Sequence, residues 1–525
     1  MKIRFALLSV LPMLLATGLQ AQDFEYVRDT SPFLTSSNAA GLGRLGEGKT
    51  AQATVSFLKD DGSLVGLDAS SDSWKAGAQT QAYARISDRM AFWGKLSYSY
   101  FSGKEMGGYL FMDPLDNPFN FLEASTETVG TKNREMYSLA AGMAYSLGEK
   151  WTLGLKADYD AGNYVKTKDP RYRDELMDLN LSAGVEFRPS ELLSFGVSAL
   201  WRSRIESIMA HLYGTTDKQY VSWTDFGSFL GTSAAVDGDE SPLPSSTRRP
   251  MADTYYGAAL QFEIGRKARI YNEFTFLLRD GYYGIKSSTS PMFYEYGGSV
   301  FGYDGTLMLP LGGNVHKIAL SAQYRPLDSF KNIYRYVTEA GKSTVVKYED
   351  QERTLARRDF SLGASYDAYM GLGGVRPLLQ AGARASLFSR RQTSQVYPYW
   401  RKSSLVQIDA EAYAQKNFIS GSNVFGLGLK ALFHTGSGTK ADDGKFDVQT
   451  TVSAKSFDDC LDLQYEYDTA MRAGAQFSFS YTRVFSESLS AFVQLSEGYV
   501  SLLQEPQYLA GRGRNSAFLT IGLNF

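Results

Sequence analysis

The chain ends in Ser516-Ala517-Phe518-Leu519-Thr520-Ile521-Gly522-Leu523-Asn524-Phe525. Ala517, Leu519, Ile521, Leu523 and Phe525 hold one set of alternate positions, and Phe518, Thr520, Gly522 and Asn524 the other. Side chains alternate between the two faces of a strand, so this stretch predicts a strand with one apolar and one mixed face. The same pattern recurs far upstream. Trp151, Leu153, Leu155, Ala157 and Tyr159 oppose Thr152, Gly154, Lys156, Asp158 and Asp160, and Leu179 to Phe187 alternate with Asn180, Ser182, Gly184 and Glu186. Phe360 to Ala368 and Val406 to Ala414 repeat it, with Asp359, Asp367, Asp409 and Glu411 on the polar side. These segments run to about 10 residues, the length of a tilted strand that crosses a bilayer. Strands of soluble sandwiches are nearer 5 or 6 residues.

The connections alternate between short and long. Ser87-Asp88-Arg89, Gly148-Glu149-Lys150, Pro189-Ser190-Glu191, Gly265-Arg266-Lys267, Gly312-Gly313-Asn314, Gly371 to Gly374, Ser420-Gly421-Ser422 and Ser486-Glu487-Ser488 read as short turns. Between them lie long connections, the largest at 103–135, 208–252, 331–353, 389–403 and 436–465. Short periplasmic turns and long extracellular loops mark a transmembrane antiparallel up-and-down β-barrel. Strands joined by the eight turns, one more near Thr50–Leu58 and the C-terminal strand make about 18, within a range of 14 to 20. Closure is required, because an open edge would leave backbone N–H and C=O groups in hydrocarbon. A barrel of this size has a lumen too wide for side chains to fill, so a channel or a loop-filled interior is expected.

At the other end, Lys2 and Arg4 precede the apolar run Phe5–Leu15, and a short polar stretch ends at Ala21. This reads as a cleaved export signal over residues 1–21, too short for a membrane helix. Residues 22–48 then form an N-terminal periplasmic or lumenal segment, and 49–525 the barrel. The mature part has no linker and no long apolar run, and a mean hydropathy of −0.26 suits strands that alternate. Gly 50, Tyr 34 and Phe 32 suit aromatic girdles around a polar interior. With Cys460 alone, neither a disulfide nor a multi-cysteine metal site is available within the chain. A net charge of −2 excludes a dedicated nucleic-acid binder.

With these features the chain resembles outer-membrane β-barrel proteins of Gram-negative bacteria, of porin-like and fatty-acid-transporter-like kinds. The terminal strand ending in Phe525 looks like the signal such barrels present to their outer-membrane assembly machinery. Ser31, Pro32 and Asn38-Ala39-Ala40-Gly41-Leu42 are similar to an N-terminal stretch of uncharacterised members. They are similar too to the Asn-Pro-Ala-Gly-Leu stretch of long-chain fatty-acid transporters, with Ala39 where those have proline. The resemblance implies an outer-membrane location, contact with outer-membrane lipid and a plug-like N-terminal segment that includes Ser31, Pro32, Asn38 and Gly41. It assigns no catalytic or cofactor-binding residue.

The registers aim a set of charges at the lumen: Lys95, Lys156, Arg188, Arg202, Arg204, Arg279, Arg325, Arg376, Arg384, Lys430 and Arg472, with Asp158, Glu186, Glu273, Asp359, Asp409 and Glu411. They read either as a lining that orients polar solutes or as ion pairs that hydrate and stiffen the wall. The loop 103–135, with Tyr109, Phe111, Phe119 and Phe121, either folds inward as a constriction or caps the mouth. The loop 208–252 offers a ligand or partner surface, or a shield. Residues 22–48 are a plug or a loose tail. Only His211, His316 and His434 are present. His434, at a strand end with Ser437 nearby, is the one conceivable nucleophile pair, and catalysis is not expected. Gly41, Gly43 and Gly46 match G-x-G-x-x-G but lack the flanking strand and helix of a dinucleotide site. Asp60-Asp61-Gly62 and Asp442-Asp443-Gly444 read as turns, and no histidine pair has metal-ligand spacing. The function expected is passage of small solutes through a mixed-charge lumen constricted by loops or by the N-terminal segment. The alternative is a non-conducting binding or assembly partner of another outer-membrane or secreted protein.

Overall fold

The computed structural model describes residues 24–29, 31–46, 49–123, 127–213, 220–236, 242–245, 248–338, 343–372, 377–486 and 488–525. The export signal lies outside them, as does Arg376. In chain order the helices are α1 (Phe24–Asp29), α2 (Pro32–Thr35), a 3₁₀ turn (Ala39–Arg44) and, much later, α3 (Asp458–Thr469). The strands are β1 (Lys49–Gly62), β2 (Asp72–Ser87), β3 (Met90–Met106), β4 (Gly108–Tyr109), β5 (Asn120–Glu123), β6 (Gly130–Ser146), β7 (Trp151–Lys166) and β8 (Arg171–Ser190). There follow β9 (Leu193–His211), β10 (Val221–Asp225), β11 (Leu230–Ala235), β12 (Arg249–Ile264), β13 (Arg269–Gly284), β14 (Met292–Leu311), β15 (Asn314–Val337) and β16 (Val345–Leu372). The last are β17 (Pro377–Val396), β18 (Tyr399–Ser420), β19 (Asn423–Lys445), β20 (Lys455–Ser456), β21 (Arg472–Ser486), β22 (Leu489–Leu502) and β23 (Gly513–Asn524).

Eighteen of these strands form one antiparallel sheet in which each pairs with its sequence neighbours in the sheet. Pairing of β1 with β23, from Gln52 opposite Asn524 to Gly62 opposite Arg514, closes it. The outside is the apolar side: Leu155, Leu260, Phe274, Leu429, Phe477 and Ile521 are all exposed there. Trp151, Phe195 and Phe425 lie toward the short turns, and Trp201, Tyr256, Tyr324 and Tyr499 toward the loops. An apolar band between two aromatic girdles is the surface of a transmembrane barrel.

The other five strands, in the order β20-β11-β10-β5-β4, form a small antiparallel sheet inside the extracellular mouth. Three connections supply them, those after β3, after β9 and after β19. Thus 103–135 does fold inward, and 208–252 and 436–465 contain strands and the helix α3 rather than loop alone. The stretches 331–353 and 389–403 are corrected more fully. They are β15–β16 and β17–β18 continued past the membrane as tall hairpins, because β-branched and aromatic residues such as Val345, Val346, Tyr348 and Val396 keep the ladder going. Asp60-Asp61-Gly62 and Asp442-Asp443-Gly444 likewise lie within β1 and β19, not in turns, held there by pairing with Arg514–Ser516 and Trp400–Lys402.

Candidate functional site

The lumen is built from two inserts and the space between them. The lower insert is the N-terminal segment. Adjacent strands present glycine on the inner face: Gly142 on β6, Gly154 on β7, Gly184 on β8 and Gly196 on β9, with Gly154 directly opposite Gly184. A Cβ at Gly154 would land on the Ala40 backbone, and one at Gly184 on the Asn38 amide. This groove lets the segment's backbone touch the wall, which no side chain would allow.

Asn38 is the pin. Its side-chain oxygen accepts from the Ala40 N–H (3.0 Å) and caps the 3₁₀ turn, while its amide donates to Val185 O and Gln261 Oε1 (both 3.1 Å). Ser182 donates to Ser37 O (2.8 Å), and Ser36 donates to Glu273 (2.9 Å). Arg44 reaches Glu186 (2.8 Å) and Glu263 (2.6 Å) with its guanidinium 3.2 Å from the Phe33 ring centre. Arg85 holds Leu45 O from β2 (2.7 Å). Pro32 opens α2, Ser31 O accepts from Leu34 N–H (3.0 Å), and Gly41 packs against Phe33.

The upper insert is the loop sheet. Its underside is an apolar cluster of Leu110, Phe111, Phe119, Phe121, Phe226 and Leu230 packed on Tyr283, Tyr294, Met251 and Leu355 of the wall. Its rim is tied by Lys132 of β6 to Asp68 (2.9 Å) and Tyr109 O (2.8 Å), and by an ion pair of Lys166 with Glu123. Between β10 and β11 the turn passes through Gly227, Ser228 and Phe229, all at positive φ (110°, 51° and 57°). Ser228 O accepts from Arg401 (3.1 Å), which fixes this strained turn to β18.

Below the sheet, the stretch Asp113–Asn120 descends toward five arginines from five wall strands. Asp116 meets Arg325 (3.1 Å), and its carbonyl accepts from Arg279 (3.1 Å) and Arg357 (3.0 Å). Asn117 accepts from Arg204 (3.1 Å), and Leu115 O from Arg390 (2.9 Å). Burial pushes the Asp116 carboxyl up, but Arg279, Arg325 and Arg357 pull it down further, so it stays below the usual carboxylate range. Asp113, by contrast, is raised by burial against a weaker pull from Arg204. The arginines also carry partners of their own: Arg204 with Glu206 (2.6 Å), Arg279 with Asp253 (2.7 Å) and Arg390 with Asp359 (2.8 Å).

The remaining residues aimed at the lumen by their registers form smaller pairs. Lys156 lies 3.4 Å from Asp158, Arg188 3.6 Å from Glu186, and Arg202 2.9 Å from Asp178. Glu411 joins Arg384 (3.1 Å) and Lys430 (3.2 Å). Arg472 donates to Tyr467 O (3.2 Å). Lys95 faces the lumen from β3 with no carboxylate beside it among the described residues. His434 is not at a strand end but inside β19, where it meets Asp409 (2.7 Å) and Asp468 O (3.0 Å), while Ser437 sits opposite Val406. Phe525 pairs its N–H and C=O with Ala51 (2.9 and 2.6 Å) at the closing seam. Sequence reasoning missed Arg44, Asp116, Asn117, Arg357 and Arg390, and it missed the glycine groove, although Gly154 and Gly184 stood on the polar faces already.

On the barrel wall from β14 to β22 lies a cavity of about 800 Å³. Asp304, Ser321, Gly363, Ser365, Arg384, Ser386, Asp409, Glu411 and His434 line it.

A family model matches residues 39–525, the whole region from the 3₁₀ turn to the C-terminus. The chain belongs to DUF6850, a family of unknown function. No curated protein matches it. Among solved structures, the ferric preacinetobactin receptor BauA of Acinetobacter baumannii is similar at 7% identity and a TM-score of 0.39, over 91% of this chain and 80% of that one. The outer-membrane transporter YddB of Escherichia coli is similar at 7% identity and 0.39, over 92% and 81%. The toluene transporter TbuX of Ralstonia pickettii is similar at 10% identity and 0.31, over 94% and 93%. The barrel class of this DUF6850 member rests on its own closed pairing and apolar belt.

Proposed function

We propose that this protein conducts small solutes across the outer membrane through a lumen narrowed above by the loop sheet and below by the N-terminal segment. In this reading residues 1–21 are a cleaved export signal, 22–48 a lumenal plug and 49–525 the barrel. The observation that carries it is the cavity of about 800 Å³ on the barrel wall from β14 to β22, lined by no residue of either insert. That volume is in the range of roughly 300–1,000 Å³ typical of small-molecule sites. The inward charges serve mainly to hold the inserts, and their mixed signs leave little net field.

Planar-bilayer conductance of the mature protein tests it, repeated after deletion of residues 22–48. Conductance in the full protein, or a rise on deletion, supports a conduit. Silence in both overturns it and favours the second reading, a surface partner for another outer-membrane or secreted protein. The tall β15–β16 hairpin, with Tyr336 and Tyr348 exposed, is the feature that favours that alternative. Insertion would use the outer-membrane assembly machinery, with Phe525 as its signal. Phe525→Ser is expected to lower the heat-modifiable folded fraction in outer membranes several-fold, and an unchanged yield would remove Phe525 from that role.

A further inference from the structure

The inner wall is not chemically uniform. On β6–β19 the inward positions carry the charges already described, and most are committed to one another or to the inserts. On β21, β22, β23, β1, β2 and β3 the pattern changes. Phe477 and Phe479, Leu495, Ile521, Val55 and Leu96 point to lipid on these strands. The alternate residues therefore face the lumen. They include Ser480, Gln494, Thr520, Ser56 and Ser99.

The ladder places these side by side. Ser480 is opposite Gln494, Gln494 opposite Thr520, Thr520 opposite Ser56, Ser56 opposite Gly77, and Gly77 opposite Ser99. One step lower, Thr54 is opposite Gln79, Gln79 opposite Ser97, and Ser97 opposite Ser138. Two rows of hydroxyls and amides thus run across neighbouring strands, broken only at Gly77. All of these residues are half-buried. None of their side chains makes a hydrogen bond to another described residue. Charge enters above the rows at Arg472, Arg514, Asp60 and Lys75, and below them at Lys95 and Arg85. Ser321, Ser365 and Ser386 extend the same chemistry into the cavity.

An unpaired half-buried hydroxyl or amide is satisfied by water or by a solute that replaces it. A polyhydroxylated solute exchanges water hydrogen bonds for protein ones at little net cost. An ion entering the same strip would lose hydration with no counter-charge opposite it. We infer that the conduit runs along the β21–β3 wall and takes electrically neutral, hydroxyl-rich small solutes, the chemistry of mono- and short oligosaccharides. This rests on the reading of the protein as a conduit and names its substrate class.

The test is uptake into proteoliposomes carrying the mature full-length protein, with glucose, gluconate and glucosamine compared at equal concentration. The three are of similar size and differ in charge. Glucose is expected to enter at least about threefold faster than either charged analogue. Ser480→Ala with Thr520→Val, two near-isosteric changes that leave the ladder intact, is expected to slow glucose at least about twofold. Equal or faster entry of gluconate or glucosamine overturns this inference while leaving the conduit standing. No entry of any of the three, together with no ion conductance, overturns both. Unchanged glucose uptake in the double variant overturns the assignment to this wall.

Discussion

The two inserts are held in the lumen by different physics. The N-terminal segment is seated by shape. Four glycines open a groove for Asn38–Leu42, and the hold is completed by a few polar bonds through Asn38, Ser36 and Arg44. Its apolar contribution is small, a cluster of Phe24, Ala39 and Leu42 on Tyr83, Ala91 and Ala144. The loop sheet is seated by a core: Phe111, Phe119 and Phe121 are at most 1% exposed and interlock with Tyr283 at ring-centre distances of 5.2 to 5.6 Å where they meet it. A patch held by a fully desolvated aromatic cluster behaves as part of the fold, whereas one held by few contacts opens at low free-energy cost. The upper insert is thus a fixed roof and the lower one the movable part, and removal of contacts from each should give different phenotypes.

The largest expected effect is on the roof core. Phe121→Ala removes a ring that stacks on Phe111 at 5.5 Å and meets Tyr283 at 5.6 Å. A loss of about 3–5 kcal/mol in roof stability is expected for such a buried ring. Hydrogen exchange of β5 and β10 should read it as faster opening while barrel strands stay protected. If β5 exchange is unchanged, the roof is not held by this cluster. Next in size is Asp116→Ala, which removes the carboxylate charge that Arg279, Arg325 and Arg357 share and the side-chain bond to Arg325, while the backbone carbonyl bonds to Arg279 and Arg357 stay. Breaking a buried pair on one side costs about 3 kcal/mol or more. Conductance noise, as repeated brief openings, should rise. Asp116→Asn should restore part of the hold, since its side-chain oxygen still accepts from Arg325 although the charge is gone.

Much of this contrast was hidden in the sequence for a physical reason. Period-two alternation reports which face of a strand meets lipid, and so the membrane-crossing parts of β7, β8 and β18 were legible, while their continuations as far as Lys166, Arg171 and Tyr399 were not. The count of 18 followed from the short turns. What alternation does not report is what fills the inside. Asp116 and Asn117 lie in a stretch with no period, and their arginine partners come from residues 87 to 275 positions away, counting Leu115 with them. The glycine groove is legible only after β6 to β9 are placed in register, because its members are separated by whole strands. The hairpins at 331–353 and 389–403 read as loops because charged residues interrupt the apolar face once the strands leave the membrane. There, both faces meet water and the apolar period has no cause to persist.

A smaller effect is expected at the lower insert. Arg44→Ala removes charge-assisted bonds to Glu186 and Glu263, each worth about 1.5–3 kcal/mol before the two carboxylates recover water. Gly184→Ala attacks the same segment by shape, placing a methyl group on the Asn38 amide. Both should raise conductance and expose the N-terminal segment to protease from the periplasmic side, with the heat-modifiable barrel intact. If the two variants leave conductance and cleavage unchanged, the lower insert is as fixed as the roof and the contrast fails.

The smallest effect is one of pH, and it belongs to the roof alone. Burial pushes the Asp225 carboxyl up from 3.8 to about 7, against hydrogen bonds from Gly227 and Phe229 N–H and the charge of Arg401. Tyr109 and Cys460 face it from β4 and α3, and both are themselves raised by burial, so neither titrates in this range. A carboxyl whose pKa is higher in the docked roof than in the undocked one retains its proton on docking. Roof stability from this group is therefore fully present below about pH 4, declines as pH rises toward 7, and is level above it. Hydrogen exchange of β10, corrected for its intrinsic pH dependence, should show more opening at pH 8 than at pH 5. Asp225→Asn should abolish the difference, because an amide keeps the Gly227 bond and carries no charge at either pH. A difference that persists in Asp225→Asn would move the titration to another group. A wild-type roof that opens equally at both pH values would mean that water reaches Asp225, and that the roof is looser at its turn than its aromatic core implies.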